Sequence, residues 1–262
     1  MSLNPWMHQG WNEYIQYEDG DEVNYLRRPP YHRLPNRYAG PARQKLLSQR
    51  GTSARERGGG EVMIFVTAFD AFGSAPVNGS REAALCWAAL DPEITVAILP
   101  VVRGLAWRVA QTALAALAEP PTLWLMLGEA GREPRSVRLE KVAINWDDFR
   151  LPDNLGTKTR DNAIVPGGPD AYFASLHVAQ IAQSLEKKTP LPVQVSLSAG
   201  AFLCNHLAYH ALHARLPFPT AFIHVPAWRP EDGEEALGKL VATLRAIKEV
   251  ACCDANPDGR ER

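Results

Sequence analysis

Long apolar runs are missing from this sequence. No stretch is long enough to span a bilayer and no apolar signal segment opens the chain, so membrane insertion and secretion are not expected. Cysteine is scarce and unpatterned. The four residues at 86, 204, 252 and 253 have no framework spacing, which excludes a disulfide scaffold and fits a reducing cytoplasm. An excess of one charge is also missing: 28 Lys and Arg against 29 Asp and Glu leave a net charge of −1, which argues against a nucleic-acid partner. Residues 1 to 60 lack aliphatic periodicity. They carry Trp6, Trp11, Tyr14, Tyr17, Tyr25, Tyr31 and Tyr38 among Arg, Pro, Asn and Gln, then Gly58-Gly59-Gly60, and cannot bury a core of their own.

From residue 61 onward the pattern changes. Apolar strands alternate with helical stretches: strand 62–67, helix 80–90, strand 94–100, helix 104–118, strands 122–127 and 137–145, helix 170–187, strand 192–197, helix 201–215, strand 219–225 and a helix over 231–251. The alternation predicts an α/β fold, a three-layer α/β/α sandwich around a mostly parallel or mixed sheet. An irregular N-terminal extension, residues 1–60, precedes this domain of residues 61–262.

Candidate chemistry lies where a strand pattern turns into a helix pattern. Val193, Val195 and Leu197 alternate with polar residues, Ser198, Ala199 and Gly200 make a small-residue turn, and Leu203, Leu207, Ala211 and Leu212 follow at helical spacing. Cys204 therefore falls in the first turn of a helix, where free amide N–H groups and the macrodipole favour an anion. A thiolate is expected there, with the same amides available to an oxyanion. His224 ends the next strand between Phe222, Ile223, Val225 and Pro226, an apolar setting in which an imidazole needs a partner. If the two strands are parallel neighbours, their carboxyl ends share one edge and Cys204 meets His224 across it. Glu140, in Val137 to Asn145, is the candidate that would orient the imidazole.

Seven separated motifs, in order, resemble the type I pyroglutamyl peptidases (pyrrolidone carboxyl peptidases). They are Val66-Thr67-Ala68-Phe69-Asp70-Ala71-Phe72-Gly73 with Val77-Asn78; Gly128-Glu129-Ala130-Gly131; Leu139-Glu140-Lys141-Val142-Ala143-Ile144-Asn145; Arg150-Leu151-Pro152-Asp153-Asn154; Gly167-Gly168-Pro169 with Ala171-Tyr172; Ser198-Ala199-Gly200 with Cys204-Asn205-His206; and Ile223-His224-Val225-Pro226. The resemblance covers about residues 62–230. It implies a cysteine exopeptidase that removes an N-terminal pyroglutamyl residue, with Cys204 as nucleophile, His224 as general base and acid, and Glu140 as the orienting carboxylate. It also implies Phe69 and Phe72 around the pyroglutamyl ring, Asn78 and position 129 in the pocket, and Arg150 near the oxyanion. No metal or organic cofactor is implied. The partners are peptides with a blocked N-terminus and further copies of the chain, as a dimer or tetramer.

This sequence departs from the family pattern in several places. Glu129 stands where the family has glutamine, and an ionised carboxylate only accepts hydrogen bonds. Ala68, Ala71 and Ser74 replace Gly, Pro and Gly, and Arg132 is displaced by one position. Glu129 thus raises two alternatives: a related cysteine hydrolase with a shifted N-terminal residue preference, or a binding protein on the same fold. A third alternative is a metal-dependent hydrolase using His206, His210 and His213, which share one helix face but lack an accompanying acidic motif.

Overall fold

The computed structural model describes residues 62–130 and 135–255. The aromatic N-terminal extension, Gly131 and Arg132 lie outside the described residues. Six strands form the main sheet in the order β2-β1-β3-β8-β4-β7: β1 (Ile64–Phe69), β2 (Ile94–Leu99), β3 (Leu123–Glu129), β4 (Val137–Glu140), β7 (Val193–Ser196) and β8 (Thr220–Val225). β5 (Val142–Ile144) and β6 (Ala171–Phe173) pair antiparallel in a separate small sheet. Among the described residues five α-helices accompany them: α1 (Gly79–Leu90), α2 (Leu105–Ala115), α3 (Val178–Ser184), α4 (Leu203–His213) and α5 (Gly233–Ala255).

The expected α/β/α layering holds, and its cause lies in the two-residue period of the strands. Ile64, Val66, Leu125, Leu127, Leu139, Ile223 and Val225 face one core, covered by Trp87 of α1, Ile181 of α3 and Leu240, Val241 and Leu244 of α5. Phe65, Trp124, Met126 and Phe222 face the other, covered by Leu105, Val109 and Leu114 of α2 and Leu203, Leu207 and Tyr209 of α4. Central strands buried on both sides read as unbroken apolar runs, which is why β1 and β3 carry no alternation in the sequence. Each such side chain removed from water contributes roughly 1.5–3 kcal/mol.

Three expectations are corrected. The strand expected over 137–145 is two strands in two sheets. Lys141 is the break: its N–H donates to the Ser196 carbonyl and its own carbonyl accepts from Ala174, which turns the chain out of the main sheet. The helix expected over 170–187 begins instead as β6, because residues 171–173 pair with β5, and only residues 178–184 are α-helical. The third concerns direction. β1, β2, β3 and β8 are mutually parallel, whereas β4 runs antiparallel to β8 and β7 runs parallel to β4. β7 and β8 therefore do not share a carboxyl edge, and Cys204 does not reach His224 by that route.

Candidate active site

Strand periodicity gathers the site on one face. Gly128 follows Trp124 and Met126 at two-residue steps, His224 follows Phe222, and Glu140 lies out of phase with Val137 and Leu139. All three positions thus point toward the side that α4 covers. Register then sets them beside one another, since Gly128 pairs with His224 across β3 and β8, and Arg138 of β4 pairs with His224 from the other side. Segment 197–202 returns the chain from the end of β7 to this face. Gly200, at φ +81°, occupies the left-handed region that favours glycine.

Cys204 is the second residue of α4 and is half-buried. Phe202 caps the helix without a side-chain hydrogen bond, so the first-turn amides retain their capacity to bind an anion. Phe202 is held from both sides, by Phe149 at 4.5 Å between ring centroids and by Phe72 at 5.3 Å. The sulfur abuts Gly128: a Cβ built there would lie 2.9 Å from Sγ and 2.7 Å from Cζ of Phe222. Glycine at this position is what lets the thiol come up against the strand.

His224 joins the thiol to the carboxylate. Its Nδ1 donates to Oε1 of Glu140 at 2.7 Å, since a carboxylate can only accept, and the imidazole is also hydrogen-bonded to Cys204. Both His224 and Glu140 are buried. Burial works against charge on the imidazole, but the charge and hydrogen bond of Cys204, then the hydrogen bond and charge of Glu140, outweigh it and push the pKa up to about 9. Burial pushes the half-buried thiols of Cys86 and Cys252 both up to about 11.

The remaining predicted residues are placed as follows. Phe69 ends β1, buried in the same core as Phe222, and Phe72 is part-buried against Phe202. Asn78 is the N-cap of α1: its Oδ1 accepts from the N–H and hydroxyl of Ser80, and its Nδ2 donates to the Asp70 carbonyl at 3.0 Å. Arg150 is exposed, one residue beyond Phe149. Glu129 closes β3 and is held by Arg229, Nη1 to Oε2 and Nη2 to Oε1, both at 2.8 Å, and by the N–H of Gly79. His206, His210 and His213 go to separate partners: Asp147 at 2.8 Å, the Trp107 ring in a stack, and the hydroxyl of Tyr172 at 2.9 Å. Burial, followed by the neighbouring His206, pushes the pKa of His210 far below its ordinary value. Among the described residues, no three His, Cys, Asp or Glu side chains group as metal ligands.

The sequence model of the pyroglutamyl peptidase family matches residues 62–252. The chain belongs to the pyroglutamyl peptidase family. Among curated relatives, the pyrrolidone-carboxylate peptidase of Streptomyces coelicolor is 40% identical over 176 residues, 64% of this chain and 79% of its own length. That of Chromobacterium violaceum is 36% identical over 211 residues, 76% and 96% respectively. Pyroglutamyl peptidase I of Bacillus amyloliquefaciens superposes with a TM-score of 0.64 at 31% identity, covering 74% of this chain and 98% of that one. Pyrrolidone carboxyl peptidase of Pyrococcus furiosus gives 0.63 at 31%, covering 74% and 100%. As a member of the pyroglutamyl peptidases the chain is a cysteine peptidase, and the match leaves the first 61 residues outside the family pattern.

Two features of the site carry little signal in the sequence. Arg229 lies beyond the last matched motif, and its signal was a cation placed shortly after the His224 strand. In the sequence Gly128 is only the first residue of a family motif, and its proximity to Cys204 depends on strand register.

Proposed function

We propose that Cys204, His224 and Glu140 are the catalytic groups with which this peptidase removes an N-terminal pyroglutamyl residue. One observation carries the reading: a single buried imidazole is hydrogen-bonded on one side to a helix-terminal thiol and on the other to a buried carboxylate. The Cys204 thiolate attacks the carbonyl carbon joining 5-oxoproline to the next residue. The carbonyl electron pair moves to oxygen, where the first-turn amides of α4 receive it. As the intermediate collapses the C–N bond breaks, and the proton on Nε2 of His224 passes to the departing amine. Water then gives a proton to the neutral imidazole and attacks the thioester. The C–S bond then breaks, pyroglutamic acid leaves and gives its proton to solvent, and the thiolate and imidazolium return.

Phe69 and Phe72 are read as the aromatic walls for the flat, neutral lactam, and Arg150 as a charged donor near the developing oxyanion. Asn78 and Glu129 shape the pocket, both through the N-terminus of α1. Residues 61–262 form the catalytic domain in this reading, and the substrates are peptides with a blocked N-terminus. A cytoplasmic homo-oligomer accompanies it, which light scattering on the purified protein tests. The decisive assay is release of a fluorogenic amine from its pyroglutamyl conjugate. Cys204→Ala should abolish it and His224→Ala should nearly do so; full activity in either variant would sink the assignment.

A further inference from the structure

Glu129 and Arg229 stand outside the Cys204–His224–Glu140 line, yet they tie together the end of β3, the start of α1 and the segment that follows His224. Glu129 follows Gly128, the residue against which Cys204 Sγ rests. Gly79, which donates its N–H to Oε2 of Glu129, follows Asn78 and opens α1. Arg229 lies five residues after His224, and besides its two bonds to Glu129 its Nη1 donates to the Trp228 carbonyl at 2.7 Å. Its backbone N–H is taken by Asp232 at 2.8 Å. Contact at the junction is close enough to exclude a side chain: a Cβ on Gly79 would lie 2.8 Å from both the Trp228 nitrogen and Oε2 of Glu129.

The geometry is a two-point fork. A guanidinium that meets both oxygens of a carboxylate fixes angle as well as distance, which a lysine or a neutral amide does not. The two side chains are 22% and 15% exposed, so water competes only in part. Two guanidinium donors and one amide N–H already occupy the Glu129 oxygens, which removes the need for a substrate N–H to satisfy this carboxylate.

We propose that the Glu129–Arg229 pair is a positioning clamp for the acyl site: it presses the segment after His224 onto the start of α1 and the end of β3, and Glu129 does not itself read the lactam. The inference rests on the proposed Cys204, His224 and Glu140 reading. It moves ring recognition to Phe69, Phe72 and backbone groups.

The test is a double-mutant cycle on the full chain, E129Q, R229Q and E129Q/R229Q, with kcat and KM for a pyroglutamyl fluorogenic amide. Melting temperature and the rate of Cys204 alkylation are followed in each variant. Each single variant breaks the fork and should raise KM about tenfold or more, with a smaller change in kcat, and the double variant should be no worse than either single one, because the clamp is already lost. A fall in melting temperature with unchanged KM would reduce the pair to a structural tie and overturn the proposal. So would an E129Q that equals or exceeds the unmodified protein, losses that simply add in the double variant, or a loss confined to E129Q, which would put Glu129 on the substrate. If a glutamine variant fails to fold, E129D and R229K keep the charges but spoil the fork; a raised KM supports the clamp and an unchanged KM overturns it. Failure of the underlying catalytic reading looks different, because C204A would then retain activity whatever stands at 129 and 229.

Discussion

His224 concentrates the electrostatics of this site. Its pKa of about 9 lies above its ordinary 6.5, so the stability it contributes is present in full below about pH 6.5 and is lost as pH rises through 9. In the proposed mechanism the same proton is the one delivered to the leaving amine, so kcat/KM should fall above about pH 9. An NMR titration of the imidazole should show a midpoint near 9, and a lower one in Cys204→Ala, where the sulfur's charge and hydrogen bond are both gone. A midpoint at or below 6.5 in the unmodified protein is the contrary result. Glu140 acts through that ring by holding Nδ1–H, so Glu140→Gln should cost about 10²–10⁴-fold in kcat while leaving KM little changed. Alkylation separates the thiols: with Cys86 and Cys252 both raised to about 11, an alkylating agent at neutral pH should modify Cys204 ahead of either of these, as peptide mass mapping would show.

The pairing of β3 with β8 and the approach of α4 bring the Cys204 thiol to the His224 imidazole. Gly128 stands directly opposite His224, and the space it leaves is filled by Sγ of Cys204 and by Phe222. A methyl group at 128 must push one of them away. Gly128→Ala should therefore lower kcat by roughly 10²-fold through a displacement of about 1 Å. Phe222→Leu would relieve only the contact with the ring, so activity should stay low in the double variant if the sulfur is what moved. Full recovery there would show instead that the ring was the obstacle. Much of this was readable in advance. The change from strand to helix spacing around Gly200 placed Cys204 in a first helical turn, and the apolar flanks of His224 marked an imidazole in need of partners. The relative direction of the strands was not readable. β7 reads as a short alternating strand and β8 as an apolar one whether they run parallel or antiparallel, and only their hydrogen bonding through β4 distinguishes the two.

Across the molecule, α5 braces the sheet from the side opposite α4. Lys248 reaches Asp91 at 2.7 Å and Glu93 at 2.8 Å, tying this helix to the turn between α1 and β2, and both Lys248 and Asp91 are buried. Removing one partner strands the other, so Lys248→Met should cost about 3 kcal/mol in urea unfolding. The site lies on the other face, so kcat should hardly change. The family match begins at residue 62. A chain starting there should keep kcat/KM within about threefold of the full protein, which steady-state assay of the shortened chain checks.

Local pattern was enough to establish the α/β layering, the helix that carries Cys204, the strand that ends in His224 and the order of the family's motifs, because periodicity and turn residues act over a few positions along the chain. Long-range pairing settled the rest. The 2.7 Å bond from His224 to Glu140 spans 84 positions, and the fork between Arg229 and Glu129 spans 100. Glu129 shows the difference most clearly. As a letter in the chain it is a carboxylate where an amide was expected; in the fold it is half of an ion pair, because a guanidinium five residues past the imidazole folds back onto it.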